Sequence, residues 1–170
     1  MALSKIDAAN FLTGTIPSGN IATSSLAAAD TGKVLQVVTA TDNTSRSSTS
    51  TSYVTASNTL SVDITPSATS SKIFVTTQFT VGIAQDDQVA KYTIYRDSTD
   101  LWDSAGEGMQ RCAMYNAGYD AYFTCAMSIL DSPSSTSELT YQVYGKTSAS
   151  SFYINYGAGK VSLTAYEISG

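Results

Sequence analysis

Leu60-Ser61-Val62-Asp63-Ile64, then Thr65-Pro66 and the run Ser67–Ser71, then Lys72-Ile73-Phe74-Val75: the reading of this stretch decides the fold class. Leu60, Val62 and Ile64 alternate with Ser61 and Asp63, the period of a strand with one buried face. Pro66 and the serines make a turn, since proline lacks the N–H a ladder needs. Lys72–Ile83 then resumes as a second strand rich in β-branched and aromatic residues. The same grammar extends both ways. Val34–Val38, Tyr53–Thr55, Val89–Arg96, two strands flanking Gly118, Leu139–Lys146, Phe152–Tyr156 and Val161–Ile168 bring the total to about ten. Ala84–Gln88 reads as a hairpin connection, and no segment sustains a helical period. Short strands with frequent turn signals predict an all-β antiparallel sandwich or jelly roll over residues 33–170.

Composition agrees with this class. The chain has 170 residues, 42% of them hydrophobic, enough for one domain with a core. Charged residues are only 14%, well below the usual share of about 25%. Hydroxyls take their place: 49 residues are Ser or Thr, and they dominate Thr41–Ser71. Threonine holds a pleated conformation while presenting a hydroxyl to water. A surface soluble without charge suits proteins that pack side by side, where buried charges would have to be desolvated.

Several function classes are excluded. No histidine is present, which removes Ser-His-Asp and Cys-His catalysis and zinc sites that need imidazole. Two cysteines cannot build a four-thiolate zinc or iron–sulfur site. A net charge of -5, with no Lys/Arg cluster, disfavours nucleic acid as a partner. No apolar run approaches the ~20 residues that span a bilayer, so no membrane partner is expected. The absence of a signal-like apolar run near Met1 points to synthesis in a cytoplasm. The expectation is a non-enzyme without cofactors.

Residues 1–32 differ from the rest. Gly14, Pro17 and Gly19 prevent a long helix, and Phe11, Leu12, Ile16, Ile21 and Leu26 are too sparse to bury a core. One reading is a frayed tail. The other is an extended anchoring arm whose pegs Phe11, Leu12, Ile16 and Ile21 dock into grooves on another protein. Fully extended, it would reach roughly 105–115 Å.

The chain resembles the small β-sandwich domains at the ends of tail-fibre and other surface proteins of tailed bacteriophages. The matching pieces are Ser71–Val75, Ile94–Thr99, Leu130–Pro133, the Ser134–Thr140 run into Tyr141-Gln142-Val143, and Leu163–Ile168. Leu12–Pro17 followed by Gly32–Val37 is similar to the segment leading into such domains. The resemblance implies a jelly-roll-like, non-enzymatic virion module that is usually trimeric, made in the host cytoplasm. Tail fibres of this kind commonly carry a long shaft, and here 32 residues precede the sandwich. A trimeric capsid decoration or cement protein, held to the major capsid protein by its arm, is therefore the first expectation. A short tail-fibre tip, attached to tail proteins and recognising a host surface glycan, is the second.

Four groups of residues are site candidates. Trp102, Tyr115, Tyr119 and Tyr122 fall in or beside loops, where aromatic rings stack on sugars or simply cap the sandwich. Cys112 and Cys125 bracket the expected turn at Gly118-Tyr119, which would place them opposite each other across a hairpin; two buried thiols and a disulfide are both open. Six acids between Asp86 and Glu107 read as a solvated loop or a calcium site, without the spacing of an EF-hand. Tyr141-Gln142-Val143-Tyr144 and Tyr153-Ile154-Asn155-Tyr156 put aromatics on both faces of their strands. An outer face of that kind is expected to meet a neighbouring subunit.

Overall fold

The structure, a computed structural model, describes residues 32–83, 88–102, 106–114, 121–157 and 159–170. The anchoring arm and its pegs Phe11, Leu12, Ile16 and Ile21 lie outside these residues, as do Asp86, Asp87, Asp103, Tyr115, Gly118 and Tyr119. Twelve strands are described: β1 (Val34–Asp42), β2 (Arg46–Ser48), β3 (Val54–Thr55), β4 (Ser61–Ile64), β5 (Lys72–Ile83) and β6 (Gln88–Arg96), then β7 (Thr99–Asp100), β8 (Gln110–Met114), β9 (Ala121–Asp131), β10 (Leu139–Thr147), β11 (Phe152–Ile154) and β12 (Val161–Ile168).

Four pairs of these strands are single ribbons with an interruption. β1 pairs β12 and β2 pairs β11, so β1/β2 and β11/β12 run side by side, each broken at the same level. β4 and β3 share one edge of β10, and β7 and β8 share one edge of β6. Counted as eight ribbons, the first sheet has the order one-eight-three-six and the second two-seven-four-five. All the pairings are antiparallel. This is the jelly roll, and the sandwich expectation stands in that specific form.

The topology corrects two expected hairpins. β5 and β6 belong to different sheets, as do β8 and β9. The chain therefore passes from one sheet to the other between β5 and β6, and again between β8 and β9. In this topology only the fourth and fifth ribbons follow each other within one sheet, and their turn is Asp97-Ser98, with Asp97 at φ 51°.

Alternation sorts each strand into a core face and an outer face. Ile73, Val75, Phe79 and Val81 of β5 meet Tyr92 and Ile94 of β6 and Tyr141 and Val143 of β10 in one buried cluster. Leu60, Val62 and Ile64 are buried in it as the sequence pattern requires. Tyr92 stands at its centre, edge-on to Phe79 at 5.2 Å and to Phe152 at 5.7 Å, with its hydroxyl donating to the Tyr153 carbonyl across the sandwich. Gly145 is needed here, because a Cβ would lie 2.7 Å from the Phe152 ring.

Carboxylates fasten the ends. Glu167 accepts from the Ser67 backbone N–H and hydroxyl, each at 2.6 Å, and from Gln36 Nε2 at 2.7 Å. Burial pushes its pKa up, but these donors outweigh burial and hold it at about 2. Asp131 receives Arg96 through both carboxylate oxygens, at 2.8 and 2.7 Å, and the Tyr141 hydroxyl at 2.7 Å, joining the first sheet to the second. Asp42 is likewise held well below the carboxylate range. Burial opposes this, and hydrogen bonds from Ser57, Arg46 and the Thr44 backbone overcome it.

Candidate functional site

Among the described residues, no secondary structure covers the outer face of the first sheet. On β5 the core-facing residues are Ile73, Val75, Thr77, Phe79 and Val81, so Phe74, Thr76, Gln78, Thr80 and Gly82 point outward. Register then carries each outward residue across the sheet. Val37 lies opposite Tyr166, Tyr166 opposite Phe74, and Phe74 opposite Leu130, forming one apolar row across four ribbons. Val37 and Leu130 are each 53% exposed, and the Phe74 and Tyr166 rings are 6.1 Å apart. The next row is Thr39, Thr164, Thr76 and Ser128, and the one after it Thr41, Ser162, Gln78 and Ala126. No charged side chain stands in any of the three.

The row is held flat from behind. Gln36, Glu167 and Asp131 are the inward neighbours of Val37, Tyr166 and Leu130, and each is engaged in the hydrogen bonds described above. Leu35 and Val34 extend the apolar surface at the start of β1, where Gly32 N–H donates to the Ser169 carbonyl at 2.8 Å.

The far end of the same face is aromatic and polar. Tyr122, opposite Gly82, has its ring 4.9 Å from Tyr156, which is 5.1 Å from Tyr153. Gly82 makes room for the Tyr156 ring, which a Cβ would meet at 2.8 Å.

Trp102 sits elsewhere, exposed on the excursion between β7 and β8 at the edge of the second sheet, its backbone N–H donating to the Asp100 carboxylate. Tyr122 belongs to the first sheet, so the loop aromatics do not share one sheet. Cys112 and Cys125 are buried free thiols in opposite sheets, not cross-strand partners. Cys112 stands opposite Ala90 and Cys125 opposite Phe79. Burial pushes both thiols above their ordinary range, away from the nucleophilic thiolate.

The described members of the acidic group have separate structural partners. Asp97 accepts from Thr140 N–H, Asp100 from Thr93, and Glu107 from Lys91 at 2.6 Å. Among the described residues no group of acids or cysteines gathers as metal ligands would.

The outer face of the second sheet also carries tyrosines, which the sequence reading did not group. Tyr95 stacks on Tyr144 at 4.0 Å, Tyr53 lies 6.2 Å from Tyr95, and Lys146 Nζ rests 4.4 Å from the Tyr53 ring centre.

No family model matches the chain, and no curated protein matches it either. Solved structures do. It is similar to a mutant VP2 protein of infectious bursal disease virus in T=1 particles, with 19% identity, 79% of this chain and 36% of that chain covered, and a TM-score of 0.39. It is also similar to the T13 particle of that virus, with 19% identity, coverage of 82% and 36%, and a TM-score of 0.43. The chain thus spans about a third of the length of the solved chains it matches. Similarity this loose fixes no function.

Proposed function

We propose that this chain is a structural protein of a tailed-phage virion, a homotrimeric capsid decoration or cement protein whose residues 1–32 anchor it to the major capsid protein. The supporting observation is the uncharged outer face of the first sheet, crossed by Val37, Tyr166, Phe74 and Leu130. A second copy of the chain is its occupant. Such a face meets no like charge on a copy of itself, and hydroxyl rows are desolvated at far lower cost than ion pairs. The resemblance to phage surface domains supplies the virion and the trimer.

Each arm peg contributes about 1.5–3 kcal/mol when a large apolar side chain is fully buried. Trimerisation ties three arms together, so the second and third bind at high effective concentration. Weak pegs thereby make a durable clamp across joints of a shell under internal pressure.

Two experiments test this. In sedimentation, Val37→Asp with Leu130→Asp is expected to convert a trimer to a monomer that keeps its β-sheet circular dichroism, its melting temperature falling only by what association contributed; a wild-type monomer at micromolar concentration removes the assembly reading. On intact virions, antibody against residues 33–170 is expected to label the head, and Phe11→Ser or Ile16→Asp to release the protein from it. Label confined to the tail would favour a short tail-fibre tip recognising a host glycan. Unlabelled particles reject both roles.

A further inference from the structure

The excursion between β11 and β12 holds a buried side-chain oxygen, Asn155 Oδ1, with no hydrogen-bond partner among the described residues. Asn155 is 1% exposed and sits in the left-handed region at φ 55°. Its Nδ2 donates only a long 3.5 Å bond to the Asp42 carbonyl, and its Oδ1 has no hydrogen-bond partner. An acceptor buried without a donor is costly, and the cost is recovered when a donor arrives. That donor has a place to stand. Asn155 lines an open pocket of about 340 Å³ together with Gln78, Thr80, Thr124, Lys160 and Ser162. Beside it on the same face of β9, two residues from Thr124, Tyr122 is 55% exposed and packs on Tyr156.

We infer that this pocket is a saccharide-binding site. The lining selects the chemistry. A sulfate ion brings only acceptors and leaves Asn155 Oδ1 unpaired, a hydrogen phosphate brings one or two hydroxyl donors for the whole pocket, and an apolar ligand would strand three hydroxyls and two amides. A sugar brings both donors and acceptors: one hydroxyl donates to Asn155 Oδ1, others exchange bonds with Thr80, Thr124, Ser162 and Gln78, and Lys160 donates to a further oxygen. Its C–H face then lies on the exposed Tyr122 ring. The pocket's outward β5 residues, Gln78 and Thr80, lie roughly 13–20 Å along the strand from Phe74 in the apolar row. A monomer carries every residue of the site, although Gln78 and Ser162 also stand in the third uncharged row of the face, where a covering copy and a bound sugar would compete.

Saturation-transfer NMR on the full chain tests it, with galactose, N-acetylglucosamine and N-acetylneuraminic acid at millimolar concentration as probes. Transfer to the ring protons of at least one sugar is expected. Thr124→Val and Tyr122→Ala alter exposed side chains, so each should weaken that binding about tenfold while leaving the melting temperature unchanged. Asn155→Gly suits the left-handed backbone and removes the unpaired oxygen. It should abolish transfer without loss of stability, whereas a purely structural asparagine would cost stability and leave transfer intact. No transfer to any of the three sugars, or equal transfer in all the variants, overturns the assignment.

Discussion

The two outer faces of this sandwich are built from similar residues and finish in opposite states. On the second sheet, Tyr53, Tyr95 and Tyr144 cover one another, Lys146 caps the Tyr53 ring, and Lys91 pairs with Glu107. That face is closed by its own side chains. On the first sheet the apolar groups spread across four ribbons in register and remain open. Of the seven large hydrophobic residues exposed among those described, Val34, Leu35, Val37, Tyr122 and Leu130 lie on the outer side of the first sheet, Phe123 is on its inner side opposite Val81, and Trp102 is at the edge of the second. A surface of tyrosines is therefore no sign of an interface by itself. What distinguishes the first sheet is that its exposed aliphatic groups, Val37 and Leu130, have no described side chain over them.

The largest effect is expected from the support behind the open face. Asp131→Ala leaves Arg96 without its carboxylate and separates the two sheets at the apolar end, at a cost of about 3 kcal/mol. Denaturant melts read this directly, and a loss under about 1 kcal/mol would show that the bidentate pair is not what joins the sheets there. If the comparison holds, this variant loses stability, while the Val37→Asp and Leu130→Asp pair loses only association.

Glu167 gives a second, pH-dependent handle on the same end. Its carboxyl is held at about 2, below the ordinary 4.5 of a free glutamate. A depressed carboxylate contributes its full stability above the unfolded value and loses it as pH falls toward the folded one. Melting should therefore decline between about pH 4.5 and pH 2, by on the order of 2 kcal/mol from this group. Glu167→Gln should flatten that part of the profile. An unchanged slope in the variant would mean that the acid sensitivity comes from elsewhere, Asp42 being the next carboxylate to examine.

Much of the fold was legible in the sequence because alternation survives wherever one face is buried. Leu60, Val62 and Ile64, and the bounds of Lys72–Ile83 and Val161–Ile168, came directly from the pattern. β2 and β7 were not anticipated: Arg46–Ser48 and Thr99–Asp100 are too short and too polar to show a period, and only their partners make them strands. The sheet assignment of Cys112 and Cys125 was also beyond reach, since a short gap serves a hairpin and a crossing equally well. The apolar row was half visible. With Ile73 and Val75 inward, Phe74 must point outward, yet only register sets it beside Tyr166 and Leu130. Asn155 left no signal, because its burial and its unpaired oxygen arise from the excursion around it.

The smallest effect sharpens the contrast between the faces. Lys146→Met keeps the side-chain length and removes the charge above the Tyr53 ring, where a cation at 4.4 Å is worth about 0.5–1 kcal/mol. Lys146 is also directly opposite Lys91 on β6, a like-charge pair that destabilises a sheet by a similar amount. The two terms oppose each other, so the net change in stability should stay within about 0.5 kcal/mol, and association should not change at all. A measurable gain in self-association in Lys146→Met would mean that charge, and not the internal closure of the tyrosines, is what keeps the second face free of partners. The distinction drawn between the two sheets would then rest on the placement of two lysines.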